Sequence, residues 1–449
     1  MKSFTIQKLA FACVTLAASV TAQATDLKTV FEQALQNDPQ LAAELALADA
    51  NAQSVGLARG GILPQIALTA EQSTTTLDGG AVLSGTTQIN DFYDQQDADK
   101  TSYGLNLKQA IINPNSWYTY GAASAITDKA ALERVKAEQD VVVRLSEAYF
   151  DVLRATASLA SAKAQEAAVK RQLEQTQQRF KVGLIAITEV HEAQAVYDGA
   201  TVELIAAESQ LDIAYEALAL LTGERYHHIN PLKDDIPLAG PVPADCTHWE
   251  QLALANNIEV LIAQKDQLSA TRNHKAKISD HAPTVDLVAS YSVTEDEANG
   301  ASLGEELTAT YVGVQVNMPI FVGGSQWAAQ KQAYYQRQAA EKGLEAAQRG
   351  ASLKVRSFYR QLQADVARVK ARKQAITSAR SAMEATQTGY EVGTRNIVEV
   401  LQAQLSVFSA ERDYAYARYD YVIDLLKFRQ AVGHLTMQDI VEVNAWLQG

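Results

Sequence analysis

Two long stretches without proline constrain the fold of this chain more than any other feature. The first runs from Pro114 to Pro231 and the second from Pro319 to the C-terminus, and both are rich in alanine, glutamine, glutamate, leucine, lysine and arginine. These residues favour helices. A helix from Asn115 to Val182 would be about 100 Å long at 1.5 Å per residue. Because a globular domain cannot bury such a helix, we expect elongated helices that pack beside copies of themselves.

Both stretches carry an apolar seam in steps of four and three residues, the spacing of a coiled coil. The seam residues are Leu145, Tyr149, Val152 and Leu159, then Val355, Tyr359, Leu362, Val366, Val369 and Ile376. Gly183 and Gly393 interrupt the two seams, and a second helical run follows each glycine. Each half of the chain is therefore predicted to form a long antiparallel helical hairpin.

The two halves also resemble each other in sequence. The segment from Phe180 to Gln194 matches the segment from Tyr390 to Gln404 at an offset of 210, with seven identical residues. Ala34 matches Ala253 at an offset of 219. Such agreement indicates a structural duplication, with about nine extra residues in the first copy.

Four shorter segments alternate between apolar and polar residues, the period of a β-strand. Their apolar positions are Ile66, Leu68 and Ala70; Leu105, Leu107 and Ile111; Val285, Leu287, Ala289, Tyr291 and Val293; and Val312, Val314, Val316 and Met318. Polar loops separate the strands of each copy and carry Asp78, Asp91, Asp94, Asp97 and Asp99, then Glu295, Asp296, Glu297, Glu305 and Glu306. Strands of about ten residues suit a tilted membrane crossing. The alternative is two soluble hairpins on a helical protein.

Four strands cannot close a barrel, and unpaired backbone groups are costly in lipid. The chain must therefore pool its strands with other copies. Two copies give eight strands, a barrel filled by its own side chains. Three copies give twelve, which favours a trimer with an aqueous pore.

The N-terminus is predicted to be a signal peptide, residues 1–24. Lys2 and Lys8 precede a mostly apolar run, and Ala22-Gln23-Ala24 fits a cleavage site. A buried N-terminal helix is the alternative. Beyond residue 24 there is no run of about 18 apolar residues, so any membrane contact must use something other than a helix.

The remaining boundaries follow from the duplication and the turn residues. We expect a first repeat at 25–229, with strands at about 63–75 and 103–112 and a hairpin at about 115–222. A proline-rich linker spans 230–243. The second repeat, 244–449, is expected to hold strands at about 284–294 and 307–321 and a hairpin at about 325–432.

Composition excludes several classes of function. The formal net charge of −13 disfavours nucleic-acid binding, and two cysteines exclude a disulfide framework and a cysteine-based zinc site. No Walker-type loop, metal-ligand spacing or nucleophile constellation is present. The sequence therefore predicts no cofactor, no metal site and no enzyme activity.

These features together resemble the TolC-like outer-membrane channels of Gram-negative efflux and type I secretion systems, over essentially the whole mature chain. The most specific segments are Gln178-Arg-Phe-Lys-Val-Gly-Leu-Ile-Ala-Ile-Thr-Glu-Val and Gly389-Tyr-Glu-Val-Gly-Thr-Arg-Asn-Ile-Val-Glu-Val-Leu. The resemblance implies a mixed α-helical and β-barrel membrane protein. It would be a homotrimer with a twelve-stranded outer-membrane barrel, four strands per protomer, continued by a long periplasmic coiled-coil barrel.

The same resemblance implies the partners and the localisation. The protein would lie in the bacterial outer membrane among its lipids, with its periplasmic end closed at rest. A periplasmic adaptor (membrane fusion) protein and an inner-membrane pump of the RND, ABC or MFS type would open it. The alternative function is a structural periplasmic coiled-coil protein that does not conduct.

Residue roles also follow from the resemblance. The links that close the periplasmic end map onto Gln178, Thr188, Glu189, Tyr390 and Arg395. Ordinary solvated polarity is the alternative for these residues. Physically, Arg395 is a fixed cation, Glu189 an acceptor and Tyr390 a donor.

Two further sets of residues complete the expected site. The tunnel constriction maps onto Glu399 and Gln402, where the family has two aspartates, so a trimer would carry three carboxylates rather than six. The tips that adaptor hairpins contact map onto Val182, Gly183, Leu184, Val392, Gly393 and Thr394. Glycine permits the tight reversal there, a role that a simple helix stop would also explain.

Overall fold

The computed structural model describes residues 25–77, 96–298, 301–302 and 306–448. The predicted signal peptide lies outside the described residues. So do Asp78, Asp91, Asp94 and Glu305 of the predicted polar loops.

The chain runs twice through the same order of elements: short helices, strands and a long helical hairpin. The helices of the first pass are α1 (Leu27–Asn37), α2 (Pro39–Ala52), α3 (Ser54–Arg59), α4 (Pro114–Lys181) and α5 (Ile187–Thr222), and its strands are β1 (Gln65–Leu77) and β2 (Gln96–Ile112). The second pass comprises α6 (Cys246–Asn256), α7 (Ile258–Ser279), β3 (Thr284–Ala298), β4 (Ala301–Ser302), β5 (Leu307–Asn317), α8 (Ser325–Glu391), α9 (Ile397–Val432) and α10 (Met437–Ala445). The hairpins are α4 with α5 and α8 with α9.

Some strand ends differ from the sequence prediction. β2 begins at Gln96 rather than near 103, and β3 continues to Ala298 rather than ending near 294. The acidic residues Glu295–Glu297, which the sequence places in a loop, lie on β3 and pair with residues 99–101 of β2. β5 ends at Asn317, before the predicted 321. The backbone ladder continues past the apolar segment because its hydrogen bonds do not depend on side-chain polarity.

The seams bury most of their residues. Leu145, Tyr149 and Val152 are fully buried on α4, as are Val355 and Leu362 on α8. The main core lies where α4 and α9 meet the short helices α1 and α10 and the segment 229–236. The long hairpins extend from this core toward their tips.

The duplication is visible in how the two hairpins end. Gly223 directly follows α5 and Gly433 directly follows α9, both in the left-handed region with φ of 73° and 82°. Beside the first, the Asn37 side-chain amide donates to Thr222 O at 2.8 Å. Beside the second, the Asn257 side-chain amide donates to Ala431 O at 2.8 Å. Similar amide-to-carbonyl hydrogen bonds, shifted by one residue between the copies, thus join both hairpins to the short helices that precede the strands.

The strands form one antiparallel sheet in the order β1–β2–β3–β5, with the two-residue β4 also on β3. The register places the alternating apolar residues on one face: Leu68 opposite Leu105, Leu105 opposite Tyr291, and Leu287 opposite Val314. In the described chain β1 pairs only with β2, and β5 only with β3. The sheet therefore has two open edges and one apolar face.

Among the described residues, no helix carries an apolar stretch long enough to cross a membrane.

Candidate functional site at the hairpin tips

Both hairpin tips reverse the chain by the same glycine motif. Gly183 and Gly393 take φ of 74° and 79°. In the first tip Leu184 N donates to Arg179 O at 2.9 Å, and in the second Thr394 N donates to Gly389 O at 2.8 Å. These bonds satisfy carbonyl groups that would otherwise be free at a helix C-terminus. The duplicated sequence thus gives two nearly identical tips.

The tips present apolar side chains to solvent. Val182 is 70% exposed, Leu184 73% and Val392 70%. Thr394 is also exposed. Exposed apolar groups at a helix end are typical of a protein contact surface.

A small apolar cluster lies behind the tips and joins the two hairpins. Its buried members come from α4, α5 and α9: Val169, Leu173, Ala193, Ile397 and Leu401. Tyr390 of α8 packs against this cluster and is half-buried. We call these five buried residues the tip cluster. It fixes the position of Tyr390 relative to both hairpins.

The hydroxyl group of Tyr390 lies in an apolar environment. Its hydroxyl is buried and has no hydrogen-bond partner in the described part of the chain. Its ring lies 5.1 Å from the guanidinium carbon of Arg179, a cation–π contact. Sequence reasoning missed Arg179, although it directly follows Gln178 and the resemblance had already selected that neighbour.

Arg395 joins the predicted gate residues to the predicted constriction. Its Nη1 lies 2.5 Å from Glu399 Oε2, one helical turn along the chain. Both side chains are partly exposed, that of Arg395 by 59% and that of Glu399 by 38%. The structure therefore brings Arg395 to Glu399 rather than to Glu189 within one chain.

Within the described residues, the three predicted gate residues of the first hairpin are not paired with those of the second. Gln178 and Thr188 are exposed and Glu189 is half-buried. Their side chains make no hydrogen bond or ion pair to Tyr390 or Arg395 in the ranges that the structure describes. Any link from them to Tyr390 or Arg395 would have to come from another copy of the chain.

The start of α9 positions Glu399 and Gln402, the predicted constriction residues. Asn396 caps the helix, and its side-chain oxygen accepts from Glu399 N at 2.9 Å. The carboxylate of Glu399 thus lies in the first turn, where the helix dipole favours negative charge. Gln402 is exposed three residues later, about one turn along the same face. The pair can line a passage only where copies of α9 face one another.

The described residues contain no group of three or more His, Cys, Asp or Glu that could hold a metal ion. The site instead offers apolar contacts, hydrogen bonds and one ion pair per chain.

Comparison with known proteins gives a consistent result. The model of the family described as outer membrane efflux protein matches residues 30–224 and 249–434, one segment for each repeat. The outer membrane protein TolC of Vibrio cholerae is 36% identical over 97% of this chain and 96% of its own length. The alkaline protease secretion protein AprF of Pseudomonas aeruginosa is 27% identical over 92% of this chain and 86% of its own. The solved structure of the CmeC outer membrane channel of Campylobacter jejuni covers 100% of this chain and 98% of its own, with a TM-score of 0.77 and 15% identity.

Proposed function

Because the chain belongs to the outer membrane efflux protein family, we propose that its hairpin tips are the regulated end of a passive exit duct. The protein lies in the outer membrane and serves efflux and type I secretion, as its relatives named for TolC and for protease secretion do. Its family is one of channels, not of enzymes.

The observation that carries this function is the open sheet. One face is apolar and exposed, as Leu68 at 79% and Val312 at 69% exemplify, and both edges are unpaired in the described chain. A lone sheet of this kind leaves backbone groups unsatisfied in lipid. Three copies joined edge to edge, β5 of one to β1 of the next, close twelve strands around an aqueous pore.

The periplasmic partners follow from the tips. Val182, Leu184 and Val392 are exposed apolar groups on both tips, a surface suited to the hairpin of a periplasmic adaptor protein. An inner-membrane pump of the RND, ABC or MFS type then supplies the energy, because the duct is passive. Gly183 and Gly393 let the adaptor approach the backbone closely.

The gate lies between copies. Gln178, Thr188 and Glu189 of one protomer face Tyr390 and Arg395 of the next, where the exposed guanidinium of Arg395 donates to an acceptor such as Glu189. Glu399 and Gln402 form the constriction with three carboxylates in the trimer. Each carboxylate is partly neutralised by its own Arg395 at 2.5 Å.

Planar-bilayer recording tests the function directly. Purified trimers extracted in detergent should insert and give a small, steady conductance, because the periplasmic end is closed at rest. The same preparation crosslinked across the open edges of the sheet should still conduct. A trimer without conductance under any condition would favour a structural coiled-coil protein.

A further inference from the structure

A fully buried carboxyl group lies between the helices of the second hairpin, away from the tips and outside the strands. Asp365 of α8 is 0% exposed. Its Oδ1 accepts from the Gln361 side-chain amide at 3.2 Å and lies 2.8 Å from Arg368 Nη1. Its Oδ2 is buried and receives no hydrogen bond in the described chain. A buried acceptor without a donor is costly.

The group that faces this carboxyl is a second carboxyl. Asp424 of α9 lies within hydrogen-bonding reach of Asp365. Two ionised carboxylates repel and neither can donate, whereas one shared proton turns repulsion into a hydrogen bond. Burial, helped by the negative charge of Asp424, raises the pKa of Asp365 to about 7. Burial also raises the pKa of Asp424.

The first hairpin shows that packing does not require these acids. At the repeat offset of 210, Asp365 corresponds to Ala155 and Asp424 to Ala214. Both alanines are buried, at 5% and 7% exposure. The corresponding positions are thus occupied by two buried alanines in one copy and by two acids in the other.

Nearby cations offset the negative charge of the pair only in part. The charged groups that face it, or that bind its neighbours, are Arg368 of α8, Asp420 and Lys427 of α9, and Glu147, Asp151 and Arg154 of α4. Arg154 is bound by Asp151 and Asp420, and Lys427 is bound by Glu147 at 2.6 Å. Arg368 alone reaches Asp365, at the oxygen that already has a donor, and its side chain is 41% exposed.

We propose that Asp365 and Asp424 share one proton and form a pH-sensitive latch between α8 and α9. In the unfolded or opened hairpin the carboxyl loses this proton at the ordinary pKa of aspartic acid, near 4. In the packed hairpin the proton stays bound to a higher pH. The latch is therefore strongest at acid pH and weakens as pH rises between about 4 and about 7. The inference concerns helix packing and does not depend on the gate proposed above.

Infrared spectroscopy of detergent-solubilised trimers tests the shared proton. Wild-type protein at about pH 6 should show the C=O stretch of a protonated carboxylic acid, which disappears as pH rises past about 8. Asp365→Asn and Asp424→Asn should each remove this titrating band. Glu411→Gln is the matched control, because Glu411 also joins the two helices, through Arg380 at 2.6 Å, but is partly exposed. A band that is absent in the wild type, or that survives in both asparagine variants, would overturn the proposal.

Hydrogen exchange tests the latch itself. After correction for intrinsic rates, amides around residues 365 and 424 should exchange up to about tenfold faster for each unit of pH between about 4 and about 7. The Asp365→Ala, Asp424→Ala double variant copies the first hairpin, so it should fold and lose this pH dependence. The corresponding amides around Ala155 and Ala214 should show none in any variant. Equal pH dependence in the double variant and the wild type would mean that the acids do not hold the helices.

Discussion

At the scale of single residues, Arg395 has the most consequential contact in the candidate site. From the turn before α9 it binds Glu399, four residues later, at 2.5 Å, while 59% of its side chain remains exposed. A guanidinium has five donors, so this pair leaves several free for a neighbouring copy. One arginine can thus offset the constriction charge and link protomers at the same time.

We expect Arg395→Ala to raise the resting conductance of the trimer. Each exposed link contributes about 1 kcal/mol at most, so losing three shifts the balance between closed and open forms by roughly hundredfold. Arg380→Ala is the control, since Arg380 is likewise an exposed arginine in an ion pair with α9, through Glu411 at 2.6 Å, but lies away from the tips. Single-channel recording compares the resting conductance of the two variants with that of the wild type. If both variants leave the conductance at the wild-type level, Arg395 does not close the duct.

Residue contacts between helices were the hardest part to predict from sequence. Periodicity gives the buried face of one helix but not its rotation against another. The stack of Arg179 on Tyr390, at 5.1 Å, joins α4 to α8 across that unknown rotation. The family resemblance selected only positions with a known role in the family, and Arg179 was not one of them. The link of Arg395 to Glu189 remains a prediction, because it requires a second copy.

At the scale of elements, the tip glycines set the length of each hairpin. Gly393 has φ of 79°, where a side chain costs about 1 kcal/mol or more. Gly393→Ala should therefore loosen the second tip and speed its cleavage by a protease about fivefold or more. Gly199→Ala is the matched control: Gly199 lies inside α5, and a Cβ there would meet nothing within 4 Å.

The two glycine variants should change local stability in opposite directions: Gly393→Ala destabilises its tip, and Gly199→Ala stabilises its helix. Because alanine favours helices over glycine by up to about 1 kcal/mol, Gly199→Ala should leave the tip unchanged and stabilise α5 slightly. Limited proteolysis, read by mass spectrometry, locates the cuts. Equal cleavage of the two variants at residues 392–396 would show that the tip is not limited by the glycine conformation.

The elements that sequence predicts well are those defined by a repeated pattern. The seams around Tyr149 and Tyr359 and the alternation around Leu287 recur over many residues, so the fold class was predictable. The ends of strands were not, because β3 continues through Glu297 after its apolar pattern has stopped. Such extensions depend on a partner strand, which local sequence does not specify.

At the scale of the whole molecule, the two faces of the sheet must meet different solvents. Neighbouring residues on β5 show this: Val314 lies on the apolar face with Leu287 as its partner, while Gln315 pairs with Asp286 on the opposite face. Val314 is 61% exposed in one chain. In the outer membrane that exposed surface meets lipid, and the opposite face lines the pore.

Val314→Arg and Gln315→Arg form a matched pair for this assignment. An arginine on the lipid face destabilises a barrel by about 2–4 kcal/mol near the middle of the bilayer, and a trimer carries three such residues. Val314→Arg should therefore reduce the amount of trimer recovered from outer membranes. Gln315→Arg adds the same charge one residue later, on the face toward water, and should assemble normally while shifting the ion selectivity of the pore toward anions. Trimer yield on gels of mild detergent extracts, followed by bilayer recording, measures both effects. If the two variants assemble equally well, the apolar face does not meet lipid, and the barrel formed by three copies is wrong.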